Sequence, residues 1–477
     1  MRLVELRQLL LACFCILVTW AVAEDAKAAV AGGISLGVGE EYNDNIFFSN
    51  EKKDKNESDF ITHIVPTFTF SYAPFGSAVP TLNASLSTSG EIYAHNSDQN
   101  NFGKNIISNI GYTYRATPRL AFYFGDSFRR EGSTRTIGLE AFAAPPELPT
   151  TPTQLMPGGG FVALPTFQEI GDLVTKGSNV SNFIFADGRY LYSPNITFSG
   201  WYSTGYTNTG GTGEVANTIG FRGMYNWRSV HNFHAGYYVT ILTSNSHTGK
   251  NSNSRSTHTD VIHNIDLGDD FFSALKINID PTWTISATGG VGINTSGDGP
   301  AVGLNANITM IKLWERAVLN MTVRRGFTGT AGISSGPALT TSISTGFGIR
   351  ITPYLNGFLG TEYSLSDTQD SDTLKVFRGG GGLQYWITNW LSSSLWYGYR
   401  FRDVGGNIKN TSIASAGRVS GNAVVLTASI YFDAYPNFRL SRQTARPLYP
   451  QMGAPLYMGT ELQQPQRLKP ESLSPLQ

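Results

Sequence analysis

From Gly32 onward, apolar and polar residues alternate at period two over long stretches of the chain. Successive side chains of a β-strand point to opposite faces, so this pattern predicts strands lying between two different environments. In "DFITHIVPTFTFSY", Phe60, Ile64, Phe68, Phe70 and Tyr72 share one face, while Asp59, His63, Thr67, Thr69 and Ser71 share the other. The segments "TLNASLSTSGEIYA", "LKINIDPTWTISA" and "LTTSISTGFGIRI" read the same way. About eighteen such segments follow one another, at 33–43, 58–72, 80–95, 102–116, 119–130, 178–192, 195–207, 215–228, 232–245, 257–268, 275–289, 300–313, 316–328, 338–351, 354–366, 373–387, 390–403 and 420–432. They are longer than the roughly 5–6 residues of ordinary globular strands. Their length matches the about 9–11 residues that a tilted strand needs to cross a bilayer.

The connections alternate as well. "YRATPRLAF", "YLYSPNITF", "IRITPYLNG" and "YWITNWLSS" each place a Thr-Pro, Ser-Pro or Thr-Asn pair between two strand ends. Proline fixes φ and a Ser or Thr hydroxyl bonds back to the nearby backbone, so each reads as a tight hairpin turn. The intervening connections are mostly longer and polar: 44–57, 96–101, 131–177, 208–214, 246–256, 290–299, 329–337, 367–372 and 404–419. Short turns on one rim and long loops on the other predict a transmembrane antiparallel up-and-down β-barrel of about 16–18 strands, with periplasmic turns and extracellular loops. A propeller packs about four short strands into 40–45 residues, which this spacing excludes. An open sandwich would leave long exposed edges, which closure into a barrel removes. Tyr112, Tyr114, Phe122, Tyr190, Tyr192, Trp227, Trp314, Tyr354, Trp386 and Trp390 neighbour the predicted short turns, where an interfacial aromatic girdle belongs.

The first residues change the picture by giving the chain an address. A basic lead and the apolar run "QLLLACFCILVTWAVA" predict a signal peptide over 1–23, with cleavage after 28 as the alternative. Both cysteines, Cys13 and Cys15, lie within it, so the exported chain has no disulfide and no thiol chemistry. The barrel is expected over 29–432, followed by a proline-rich periplasmic tail, 433–477, in reach of a periplasmic partner. The last predicted strand, "NAVVLTASIYF", ends in Ile430, Tyr431 and Phe432 and resembles the C-terminal signal read by the barrel-assembly machinery, although here the tail follows it.

Charge bears on function in two ways. Lys+Arg and Asp+Glu balance at 35 each, so no basic footprint calls for nucleic acid, and outer-membrane lipid is the expected surrounding. In a barrel the inward polar face sets selectivity. Its expected charged residues are Glu91, Arg115, Asp187, Arg189, Arg222, Lys276, Asp280, Arg324, Arg350, Glu362, Arg400 and Arg402. Arginines gather in the last third, which favours anions; the alternative is a self-paired charge ladder that only stiffens the wall. Loop 131–177 is long enough to enter the lumen and set Glu140 and Glu147 against Arg350, Arg400 and Arg402. No cofactor, metal or catalytic motif stands out. His258 and His263 are an odd number apart and face opposite ways, and "GGGG" at 379–382 lacks the Lys-Ser/Thr and the helix of a phosphate loop. In a strand such glycines give a bend, or room for something packed inside.

"EEYNDNIF" closing the first strand, "SDFITHIVPTFTFSY" on the second, and the "TPRL" and "SPN" turns resemble motifs of the β-barrel porin families of Gram-negative outer membranes. The resemblance covers roughly 33–432 and implies an outer-membrane channel, in several members linked to exopolysaccharide export. Two other readings stay open: a scaffold barrel housing a redox or polysaccharide-export partner, and an outer-membrane enzyme.

Overall fold

The computed structural model describes residues 29–46, 58–73, 82–131, 179–209, 212–227, 231–247, 255–272, 283–295, 301–314, 316–328, 338–352, 354–367, 373–388, 390–405 and 417–433. Among them are eighteen strands: β1 (Ala29–Asn43), β2 (Asp59–Ala73), β3 (Leu82–Tyr93), β4 (Asn101–Thr117), β5 (Leu120–Glu131), β6 (Asn179–Ser193), β7 (Ile196–Thr209), β8 (Thr212–Trp227), β9 (His231–His247), β10 (Arg255–Phe272), β11 (Trp283–Asn294), β12 (Ala301–Leu313), β13 (Ala317–Thr328), β14 (Ala338–Arg350), β15 (Leu355–Asp367), β16 (Thr373–Trp386), β17 (Leu391–Gly405) and β18 (Gly417–Asp433). Each pairs antiparallel with the next, and β1 pairs with β18, so the sheet closes on itself. The expected all-β up-and-down barrel is therefore present, at the upper end of the expected strand number.

Alternation sorts the two faces. Ile34, Leu36 and Val38 on β1, Phe60, Ile64 and Phe68 on β2, and Val424, Leu426 and Phe432 on β18 are exposed on the outside. Three of the polar side chains that share the outer face are hydrogen-bonded to tyrosine hydroxyls: Tyr202 to Asn217 at 3.1 Å, Tyr237 to His263 at 2.8 Å and Tyr397 to Asn422 at 2.7 Å. In an apolar surrounding each such group would cost several kcal/mol, about 4–8 for transfer to hydrocarbon, if left unbonded.

The tight turns use one device. The Thr117 hydroxyl accepts from the backbone N–H of Arg119 at 3.2 Å and Leu120 at 3.0 Å. Thr352 accepts from Tyr354 at 3.2 Å and Leu355 at 3.0 Å, and Thr388 from Trp390 at 3.3 Å and Leu391 at 3.0 Å. On the opposite rim one connection differs from expectation. β7 and β8 remain paired as far as Thr209 and Thr212, so the polar stretch 208–214 is mostly strand and only two residues separate the pair.

The seam between β1 and β18 is pinned at the long-loop rim. Asp44 accepts from the backbone N–H of Asn422 at 2.6 Å and from its side-chain amide at 2.7 Å, and returns its own N–H to the Asn422 carbonyl at 3.0 Å. Asn45 adds a bond to the Ser420 carbonyl at 3.0 Å. At the start of β2, Asp59 ties the neighbouring connection in the same manner. It accepts from the backbone N–H groups of Phe60, His95 and Asn96 and from the Asn96 amide, at 2.8–3.0 Å.

Candidate functional site

The inner wall divides into sectors of different chemistry. On β1–β4, near the long-loop rim, Glu41, His63 and Glu91 are fully buried. His63 Nε2 lies 3.0 Å from Glu41 and its Nδ1 3.7 Å from Glu91. Asn43 donates to Glu41 at 3.0 Å, and Asn105 and Tyr93 donate to Glu91 at 2.7 and 3.2 Å. Neutral donors and an imidazole are thus among the groups that hold these carboxylates, and no group of three metal-binding side chains forms among the described residues. Beside them Ile46, Ile61 and Tyr93 make a small apolar core on the inner side.

The second sector, on β5–β10, is aromatic and charged. Tyr123, Phe185, Trp201 and Tyr238 pack as one buried cluster. Phe185 lies against Gly125 and Trp201 against Gly220, positions where a Cβ would collide with the ring. Arg189 donates to Asp187 at 2.9 Å and sits 5.3 Å from the Tyr123 ring centre. Arg222 donates to Asp266 at 2.5 Å and sits 5.5 Å from the Trp201 ring. Each pair combines a charge-assisted hydrogen bond with cation–π contact, which rigidifies this wall and fills the lumen beside it.

The third sector is rich in arginine. Arg324 on β13, Arg350 on β14 and Arg400 on β17 face inward, half-buried, and Arg402 is buried above Arg400. Glu362 on β15 is bonded by two nitrogens of Arg378 on β16. Of the other residues expected to face the lumen, Arg115 reaches the short-turn rim and is exposed there, while Lys276, Asp280 and loop 131–177 lie outside the described residues. So do the signal segment 1–28 and the tail 434–477.

Sequence reasoning overlooked Arg378 and misplaced Trp386. On β16 the inward positions carry Leu374, Val376, Arg378, Gly380, Gly382, Gln384 and Trp386. Two aliphatic residues on the inner face make the apolar-outside rule point the wrong way. Trp386 is therefore buried inside, 5.3 Å from the Tyr431 ring, and is not part of the girdle. Phe122 is half-buried, while the other eight expected girdle aromatics are exposed. Glu41 and His63 were visible only as polar alternation; their convergence needs the β1–β2–β3 register.

No family model matches the chain, and no curated protein is detectably similar to it. Solved structures that resemble it include proteins described as outer-membrane proteins. Pseudomonas aeruginosa OpdK with vanillate shares 9% identity at a TM-score of 0.38, over 84% of this chain and 98% of that one. Acinetobacter baumannii OccAB4 shares 9% at 0.40, over 86% and 99%. Vibrio cholerae OmpT, an outer-membrane protein, shares 11% at 0.32, over 86% and 99%. These similarities are low, and the barrel stands on its own strand pairings.

Proposed function

We propose that this chain is an integral outer-membrane protein whose barrel passes polar solutes. The observation that carries the reading is the inversion of faces around a closed ring: aliphatic and aromatic residues outside, charged and hydroxyl residues inside. In water that arrangement would expose a broad apolar surface. In a bilayer it is the stable one, because the strands are paired on both edges and the outer face is predominantly aliphatic and aromatic. Barrels of about 16–18 strands leave an aqueous channel unless something fills it. The aromatic cluster on β5–β10 fills part of this one, so a narrow channel fits better than a wide pore.

Under this reading the short turns face the periplasm and the long loops the outside, and Ile430, Tyr431 and Phe432 form the terminal assembly signal. Export of a polymer, as the family resemblance implies, would need the same wall to accept a chain and is a narrower form of the proposal. The test is conductance of the purified full-length barrel in planar bilayers. Discrete current steps with a reversal potential shifted toward anions are expected. Absence of any step from protein that runs as a folded, heat-modifiable barrel would overturn the channel and favour a housed partner.

A further inference from the structure

The outer face is not uniform around the ring. On β1, β3, β11 and β12 its exposed residues include the aliphatic Ile34, Leu36, Leu86, Val291 and Leu304. On β7–β10 a polar island interrupts the apolar surface. Thr204, Asn217, Ile241 and Val261 stand in one outward row, each the register partner of the next. The neighbouring row toward the short turns holds Tyr202, Ile219, Val239, His263 and Ile293.

The island lies within the apolar band. His263 has Val261 and Ile265 on either side along its own strand, and Val239 and Ile293 beside it on the neighbouring strands. Asn217 stands between Val215 and Ile219 along β8, with Ile241 beside it.

Internal bonding satisfies these groups only in part. Tyr202 donates to the Asn217 carbonyl oxygen at 3.1 Å, and the Tyr237 hydroxyl is bonded to His263 Nδ1 at 2.8 Å. The Asn217 amide nitrogen, the Thr204 hydroxyl and His263 Nε2 have no hydrogen-bond partner among the described residues. Hydrocarbon offers such groups no water, so burying them against lipid is costly and burying them against another polar protein face is favoured.

We propose that this face docks a second copy of the chain within the membrane. The proposal rests on the outer-membrane reading. A second copy fits because the island carries donors and acceptors in one patch and is therefore complementary to itself. Thr204 and Asn217 are immediate neighbours across the strands. A two-fold axis beside them sets the Asn217 amide of each copy against the Thr204 hydroxyl of the other, and the same bond forms twice. Ile219, Phe221, Ile241 and Ile265 are exposed around the island and supply apolar packing at its margin. Six strands, β6–β11, span about 29 Å at the usual spacing, and the apolar band of such a barrel is about 25 Å tall. This side thus offers roughly 700 Å², close to the about 800 Å² per partner of a stable interface.

The experiment is site-directed cross-linking of the full-length chain in isolated outer membranes. The wild-type cysteines are Cys13 and Cys15 alone, so wild type gives the background. Single variants Ile219→Cys, on the island, and Leu36→Cys, away from it, are oxidised with copper phenanthroline and run on a non-reducing gel. Ile219→Cys is expected to give a band of twice the monomer mass, and Leu36→Cys none above background. In mild detergent, light scattering should find the wild type dimeric. The outward variants Asn217→Leu and His263→Leu should each weaken dimerisation by about tenfold while remaining heat-modifiable barrels. Three results would overturn the proposal. These are no Ile219→Cys dimer from folded barrel in the outer membrane, equal dimer from Leu36→Cys, or a cross-linked product whose mass shows a different protein as partner. A chain that does not fractionate with the outer membrane at all sinks the membrane reading and the interface with it, whereas a monomeric folded barrel there sinks the interface alone.

Discussion

Asp44 directs both of its carboxylate oxygens at a single residue from the opposite end of the chain. They take two hydrogen bonds from Asn422, 378 positions away, where the barrel closes. Charge-assisted bonds of this kind contribute about 1.5–3 kcal/mol, and truncating one partner leaves the other unsatisfied. Asp44→Ala is therefore expected to lower the urea midpoint of the folded barrel by an amount equivalent to about 2 kcal/mol. Asn422→Ala should cost a similar amount, and the double variant little more than the worse single one, because the two act through one interaction. A fully additive double variant would show that the contacts are independent. The "YNDN" motif was legible in the sequence as a rim; its task was not, because no local pattern reveals a partner across the closure. His63 repeats the lesson. Its polar position was plain, but the carboxylates on either side of it come from two other strands.

At the scale of elements, local chemistry was easier to read. Thr-Pro and Thr-Asn pairs predicted turns because a threonine hydroxyl can satisfy two backbone donors, and Thr117, Thr352 and Thr388 do so. Thr352→Val keeps the shape and removes the acceptor. It should cost about 1 kcal/mol, measured as a shift in the unfolding midpoint. Strand ends matched within a few residues wherever one face stayed consistently apolar. The start of β11, expected at 275, lies outside the described residues, among which the strand runs from Trp283. On β16 the ends, expected at 373 and 387, match within one residue, and it was the face of Trp386 that aliphatic residues on the inner side obscured. Glycines separate packing from openness. Gly220→Val would drive a branched side chain into Trp201, whereas Gly111 has nothing within 4 Å of its would-be Cβ. Overpacking typically costs about 1–3 kcal/mol, so Gly220→Val should destabilise the barrel by that order and Gly111→Val by far less. Equal losses would mean that the aromatic cluster yields freely and does not narrow the lumen.

For the whole molecule, closure is the property on which everything else depends. The ring is completed by the pairing of β1 with β18, which runs in unbroken register from Gly33–Asp433 to Asn43–Ala423. Within that seam Ile430 faces Leu36 on the outside, Phe432 is exposed beside Ile34, and Tyr431 turns inward against Trp386 while its backbone N–H bonds to the Trp390 carbonyl at 2.9 Å. The last aromatic pair therefore anchors β18 to both neighbours and to both faces. Truncation after Phe432 removes the tail and a single residue of the seam, so assembly into a heat-modifiable folded barrel should persist. Truncation after Ser429 removes Ile430, Tyr431 and Phe432 together and should abolish it. An unpaired strand edge in lipid leaves backbone groups without partners, and the ring cannot compensate elsewhere. Loss of the folded form in the chain ending at Phe432 would move the assembly signal into the tail. Survival of the folded form in the chain ending at Ser429 would show that Asp44, Asn45 and the register beyond them suffice to close the barrel.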